Sequence, residues 1–167
     1  MSGGRIFLVG DNVDTDQLAS GRYMRGGIEV LATHCLEALR PDFAGSVRPG
    51  DILVAGRNFG IGSSREQAAE ALKHLGIAAV LARSFAGIFY RNAVNLGLPV
   101  LVLPDLDGIE EGDRATLDLP SSTLHLTDKV RAVPLEPLPD NLRALLSDGG
   151  LVPHLKRRFA AQREAAR

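Results

Sequence analysis

Two short runs of uninterrupted small apolar residues, 77–82 and 100–103, constrain this chain most. A strand that is apolar at every position has no face for water. Both runs therefore read as strands covered on both sides, as in a parallel sheet with helices packed over it. The segments around them fit that frame. Residues 5–9 end at Gly10, and residues 51–55 follow the Pro49-Gly50 turn, so both read as further strands. Helical spacing recurs at Ala68, Leu72 and Leu75 within 64–75, which Gly76 stops. It recurs again at Phe85, Ile88, Phe89, Ala93 and Leu96 within 85–96, with Ser84 as cap and Gly97 as stop. Ile28, Leu31, Cys35 and Leu39 give a third helix before Pro41, and the Gly/Arg-rich residues 18–27 ahead of it read as an exposed loop. Strand, loop, helix, strand, helix, strand predicts an α/β fold with a partly parallel sheet. Beyond Pro104 the pattern changes. Residues 115–119, 123–126 and 130–133 read as small antiparallel strands, 134–139 as a proline-rich connector, and 141–146 and 151–160 as helices. The mixed charge of 156–167 suggests a solvated helix end.

The 167 residues fit one domain, 1–167, with a helical tail at 151–167. A single cysteine, Cys35, forms no internal disulfide and cannot alone hold a structural zinc or an iron–sulfur cluster. Nineteen basic and twenty acidic residues argue against a dedicated nucleic-acid binder. No apolar run approaches a membrane span, and the N-terminus lacks a signal peptide's apolar region, so the expected setting is the cytoplasm. The four histidines have no metal-ligand spacing, and no metal site is expected.

Gly56-Arg57-Asn58-Phe59-Gly60-Ile61-Gly62-Ser63-Ser64-Arg65-Glu66 follows a strand and opens a helix. Gly60 and Gly62 permit a tight turn with exposed N–H groups, and a helix N-terminus adds partial positive charge. Together they suit an anion. Ser63 would add a hydroxyl and Arg65 a forked cation. The same residues admit a plainer reading, in which Ser63 and Glu66 form a capping box. A cap requires neither the flanking glycines nor an arginine in the first helical turn. The third glycine of a dinucleotide fingerprint, a Gly-Lys-Ser/Thr phosphate loop and a Gly-x-Ser-x-Gly elbow are all absent.

Asp11, Asp14 and Asp16 crowd three carboxylates into six residues, which repel unless offset. They read either as an Asx-turn with a helix cap or as a carboxylate that orients a cation or moves a proton. Arg22 and Arg25, in Gly21-Arg22-Tyr23-Met24-Arg25-Gly26-Gly27, are either surface arginines or a flexible clamp over an anion.

The run Asn58–Glu66, with Ser84-Phe85 and Ile88-Phe89-Tyr90-Arg91-Asn92-Ala93 downstream and Asp14-Thr15-Asp16 upstream, resembles the small subunit of 3-isopropylmalate dehydratase. That family is similar to the aconitase swivelling domain and to homoaconitase small subunits. The resemblance spans nearly the whole chain and implies a three-layer β/β/α swivelling fold. It implies a hydro-lyase that isomerises a 2-hydroxy dicarboxylate by dehydration and rehydration. A large partner subunit would carry a [4Fe–4S] cluster and most acid/base groups. By the same resemblance Ser63 is the catalytic serine that removes the proton alpha to a carboxylate, and Asp16 assists the active-site network. Arg65 clamps a substrate carboxylate with support from Ser64, and Asn58, Gly60 and Gly62 build the loop. Gln67 departs from the pattern, standing where many relatives carry histidine. Isopropylmalate enzymes tend to have an apolar residue at the position of Arg25; an arginine there resembles homoaconitase and aconitase. Isopropylmalate in leucine biosynthesis is the first expectation for the substrate, and homoaconitate or another alkylmalate the second. Two non-enzymatic expectations stand beside these: an anion-binding module without chemistry, and an interaction protein whose Ser63 only caps a helix.

Overall fold

A computed structural model describes residues 3–167. Seven strands form one sheet in the order β4-β3-β2-β1-β5-β6-β7. β1 (Gly4–Leu8), β2 (Ile52–Ala55), β3 (Ala79–Ala82) and β4 (Val100–Val102) run parallel. β5 (Arg114–Asp118), β6 (Thr123–Leu126) and β7 (Arg131–Pro134) continue from β1 as an antiparallel meander. β1 belongs to both halves and joins the parallel and antiparallel parts into one continuous sheet. Pro134 is tolerated because β7 lies at the sheet's edge, where a missing N–H breaks no inner ladder.

The apolar runs are buried over most of their length but not throughout: β3 starts only at Ala79, Ala78 ahead of it is exposed, and Val102 at the end of β4 is half-buried. Every residue of β2 and β3 is buried. α4 (Gln67–Leu75) carries the chain from β2 to β3, and α5 (Gly87–Asn95) from β3 to β4. Gly76 ends α4 in the left-handed conformation, the ordinary glycine stop. No helix among the described residues is long and apolar enough to cross a membrane.

Several boundaries differ from expectation. Residues 18–27 are not a loop throughout. Leu18 is fully buried at the end of α1 (Thr15–Leu18), and Gly21–Gly26 form a 3₁₀ helix leading into α2 (Gly27–Thr33). α2 is shorter than the helix expected over 28–39, because the chain breaks into turns and Leu36 adopts a left-handed φ of 58°. A short helix, α3 (Phe43–Ser46), precedes β2.

Ser84 does not cap α5. Phe85 forms an isolated bridge with Phe59, and the helix starts at Gly87 with no side-chain cap. That shift turns Ile88 outward, 44% exposed, and leaves Phe89, Ala93 and Val94 as the buried face. After α6 (Asp140–Ser147), α7 (Leu151–Ala165) extends beyond the expected residue 160 as one helix with no buried residue.

Candidate active site

In a parallel sheet, ligands collect beyond the carboxyl ends of the strands. Here the segments after β1, β2 and β3 meet at that end. Residues 56–66 are tied to both neighbours. Asn12 N donates to Arg57 O (2.8 Å), Gly60 N to Val13 O (2.7 Å) and Thr15 N to Ile61 O (2.8 Å). On the other side Asn58 N donates to Ser84 Oγ (2.8 Å) and Ala86 N to Phe59 O (2.9 Å). Asn58 sits at φ 57°, a left-handed conformation that asparagine tolerates, and its Nδ2 reaches Asn12 Oδ1 (3.0 Å).

Underneath, Phe59 is fully buried, edge-on to Phe85 and Phe89. Gly60 lies directly over Phe89 at φ 85°, and any Cβ there would collide with that ring. The aromatic motif at 85–90 is thus the floor of the loop.

Three carboxylates stand close in sequence because each faces different donors. Asp11 Oδ1 accepts from Arg57 N (2.7 Å) and anchors the loop. Asp14 forms a reciprocal capping box with Gln17 at the start of α1. Asp16 Oδ1 accepts from Arg65 Nη1 (2.6 Å) and from Gly21 N (3.2 Å). The Arg65 guanidinium and the Gly21 amide hold the Asp16 carboxyl below the usual carboxylate range. Arg65 Nη1 also donates to Ala19 O (3.0 Å).

The Ser63–Glu66 capping box is not formed. α4 begins at Gln67, its N-cap Glu66 makes no side-chain cap bond, and residues 63–65 remain in the loop. The pairing of 61 with 14 and the φ of 113° at Gly62 keep the chain extended past the point where a box would close. Freed from capping, the exposed Ser63 hydroxyl lies 3.2 Å from Thr15 Oγ1. Thr15 is buried, only 3% exposed, and Ser63 is the one protein partner of its hydroxyl among the described residues. Sequence reasoning passed over Thr15 as a site residue. Its signal was a place inside the Asp14-Thr15-Asp16 motif, where only contact with a residue 48 positions away reveals a use.

Ser63, Asp16 and Arg65 are therefore brought together. Ser64 is exposed on the same loop, and its hydroxyl has no protein partner among the described residues. Arg25 is exposed in the 3₁₀ helix and likewise makes no ion pair among the described residues. That helix begins beside the site, since a Cβ on Gly21 would lie 3.5 Å from Arg65 Nη2.

Among the described residues there is no ligand set for an iron–sulfur cluster. Cys35 is 1% exposed, and burial pushes its thiol up to about 12, so it stays protonated. No group of three or more His, Cys, Asp or Glu side chains among the described residues is placed to hold a metal ion.

Comparison with known proteins agrees with this fold. The aconitase C-terminal domain family matches residues 40–106. The methanogen homoaconitase small subunit of Methanothermobacter thermautotrophicus is 50% identical over 152 residues, covering 90% of this chain and 88% of that one. The 3-isopropylmalate dehydratase small subunit 1 of Thermotoga maritima is 46% identical over 156 residues, covering 92% and 94%. A crystal structure of 3-isopropylmalate dehydratase from Methanocaldococcus jannaschii superposes with a TM-score of 0.91 at 43% identity, covering 97% of each chain. The chain belongs to the family of 3-isopropylmalate dehydratase and homoaconitase small subunits.

Proposed function

We propose that this chain supplies the serine base and a carboxylate clamp to an active site completed by a large subunit. One observation carries the reading: a single pinned loop presents the Ser63 hydroxyl and the Arg65 guanidinium together at the open end of the parallel strands. The reaction is dehydration and rehydration of a 2-hydroxy dicarboxylate. Ser63 Oγ takes the proton alpha to a carboxylate and returns it in the hydration step.

A serine hydroxyl has a pKa far above neutrality, so the anionic oxygen needs help. Thr15 Oγ1 is in place to donate to it, and the nearby Arg65 cation favours negative charge. The helix dipole contributes less than the sequence implied, because α4 starts four residues after Ser63. Arg65 binds a substrate carboxylate through donors that Asp16 and Ala19 leave unused, and Asp16 holds its guanidinium in orientation. Ser64 adds a hydroxyl beside it.

The [4Fe–4S] cluster belongs, in this reading, to the large subunit, where it would act as Lewis acid toward the departing hydroxyl. The small-subunit naming of the relatives supports such a partner.

2-Isopropylmalate is the leading substrate, as the names of most relatives suggest. Arg25 favours a second reading, a homoaconitate-type substrate with an additional carboxylate. It is an exposed cation in a helix that begins beside Arg65. The test is anaerobic reconstitution with the large subunit and assay over 2-isopropylmalate, homoaconitate, citrate and alkylmalates. Turnover of one of these is expected; a loaded, assembled complex inactive on all of them would overturn the proposal.

A further inference from the structure

At the opposite end of the parallel strands from Ser63 lies a polar cavity of about 560 Å³. Arg5, Arg48 and Arg114 line it, with Gly45, Gly50 and Asp51 among the other walls. That volume falls in the usual range for a small-molecule site, roughly 300–1,000 Å³.

Its charge is unbalanced. Asp51 is the only carboxylate in the lining, it is 3% exposed, and it is already committed. It accepts from Arg5 N (2.8 Å) and Arg48 N (2.8 Å), with Arg5 Nη2 at 3.4 Å. Three guanidinium groups against one carboxylate leave a net charge of +2.

The arginines are also placed against folding preference. Arg5 and Arg114 are direct register partners across β1 and β5. Like charges opposite one another on a strand pair destabilise it, so the sheet alone gives no reason for the pair.

Nor are these side chains loose. Arg5 Nη2 donates to Ser46 O, Arg48 Nη1 to Gly45 O and Val47 O (both 3.1 Å), and Arg114 Nη1 to Gly3 O (3.1 Å). Neutral carbonyls therefore fix Arg48 and Arg114 without neutralising them, while Arg5 shares its charge with Asp51. A guanidinium carries five N–H donors. Arg48 Nη2 and Arg114 Nη2 have no protein acceptor among the described residues.

We propose that this cavity binds a small oxyanion of the carboxylate or phosphate class, held by Arg5, Arg48 and Arg114. Planar guanidinium forks match both oxyanions. The anion bridges the start of β1, the turn before β2 and the start of β5, the seam where the parallel and antiparallel halves join. The site does not depend on the catalytic reading of Ser63.

The test is an amide NMR titration of the full-length chain with sodium phosphate, with sodium citrate, and with sodium chloride at matched ionic strength. Phosphate or citrate should move the amides of Gly45, Gly50 and Asp51 along a saturable curve that chloride does not produce. The stronger of the two arms separates a phosphate ligand from a carboxylate one. Gly45→Asp is the key variant. A Cβ at Gly45 meets nothing within 4 Å, so the change keeps all three arginines and adds a negative charge at the rim. It should weaken binding by about tenfold or more, as should Arg48→Gln. Non-saturable shifts, shifts confined to residues 56–66, or unchanged affinity in Gly45→Asp would overturn the proposal.

Discussion

Residues 56–66 and residues 20–26 border the same carboxylate, Asp16, and are held in opposite ways. The first segment is bonded to strand-end segments on both sides and seated on a buried aromatic cluster. The second has no buried residue. It is held by two local bonds to Ser20, by Gly21 N on Asp16, and by Tyr23 stacked on His34 at 3.5 Å. Groups needed for a shared reaction benefit from such fixing, since a misplaced base loses rate steeply. A segment that distinguishes substrates needs only to reach them. Its residues can change without disturbing the core, which suits the place of Arg25.

Ser63→Ala should expose the contrast most sharply. Turnover of the reconstituted complex should fall by about 10²–10⁴-fold, the usual worth of a general base. Stability of the chain should fall by only about 0.5–1.5 kcal/mol, the worth of the hydrogen bond to the buried Thr15 hydroxyl, since Ser63 caps nothing. Near-normal turnover in a steady-state assay would remove Ser63 from the mechanism.

Next comes a pair of glycine substitutions. Gly60→Ala forces a Cβ into Phe89 and a side chain into a left-handed backbone, and should cost about 2–4 kcal/mol. Gly21→Ala meets only ordinary contact with Arg65 and should stay within about 0.5 kcal/mol. Urea denaturation measures both; equal losses would erase the distinction between pinned and surface segments.

The same contrast explains what was legible in the sequence. Buried strands announce themselves because every position in 79–82 must be apolar, and the glycine loop because its turns need left-handed backbone. The Ser63–Glu66 spacing satisfied a local rule, yet bonds to residues 13–15 overrode it. Those bonds join positions 46 to 47 residues apart, and no local pattern encodes them. The cap that did form, Asp14 with Gln17, was visible as an Asx alternative in the acidic run. The 3₁₀ helix was hidden for the converse reason: its glycines suggest a loop, and its resting place is set by tertiary contacts, the stack of Tyr23 on His34 and the packing of Tyr23 and Met24 against the core.

Arg25→Val probes the weakly held segment alone. Where Arg25 meets an additional substrate carboxylate, kcat/KM for homoaconitate should fall about 10- to 100-fold, the worth of one charge-assisted hydrogen bond. The value for 2-isopropylmalate should hold or rise. Equal effects on both substrates would count against a discriminating role.

Asp16→Asn carries a small stability effect and tests the tie between the two segments. Asp16 Oδ1 receives both Arg65 and Gly21, so it is the point where the pinned loop and the surface helix share an acceptor. The side chain is 67% exposed, and such pairs contribute less than about 1 kcal/mol. The sign with pH is fixed. Arg65 and Gly21 lower the native carboxyl pKa, so the native state holds its proton less tightly than the unfolded chain. The contribution is full above the unfolded value of about 4, declines as pH falls toward the lowered native value, and is absent below it. Denaturation curves of the parent and Asp16→Asn should differ slightly at pH 7 and converge in acid. A gap that persists below the native value would assign the difference to something other than the carboxylate's charge. In the assembled enzyme the same variant should raise KM more than it lowers kcat, because a guanidinium released from Asp16 still carries its charge but has lost its orientation. A loss confined to kcat would instead put Asp16 in contact with the reacting atoms rather than behind Arg65.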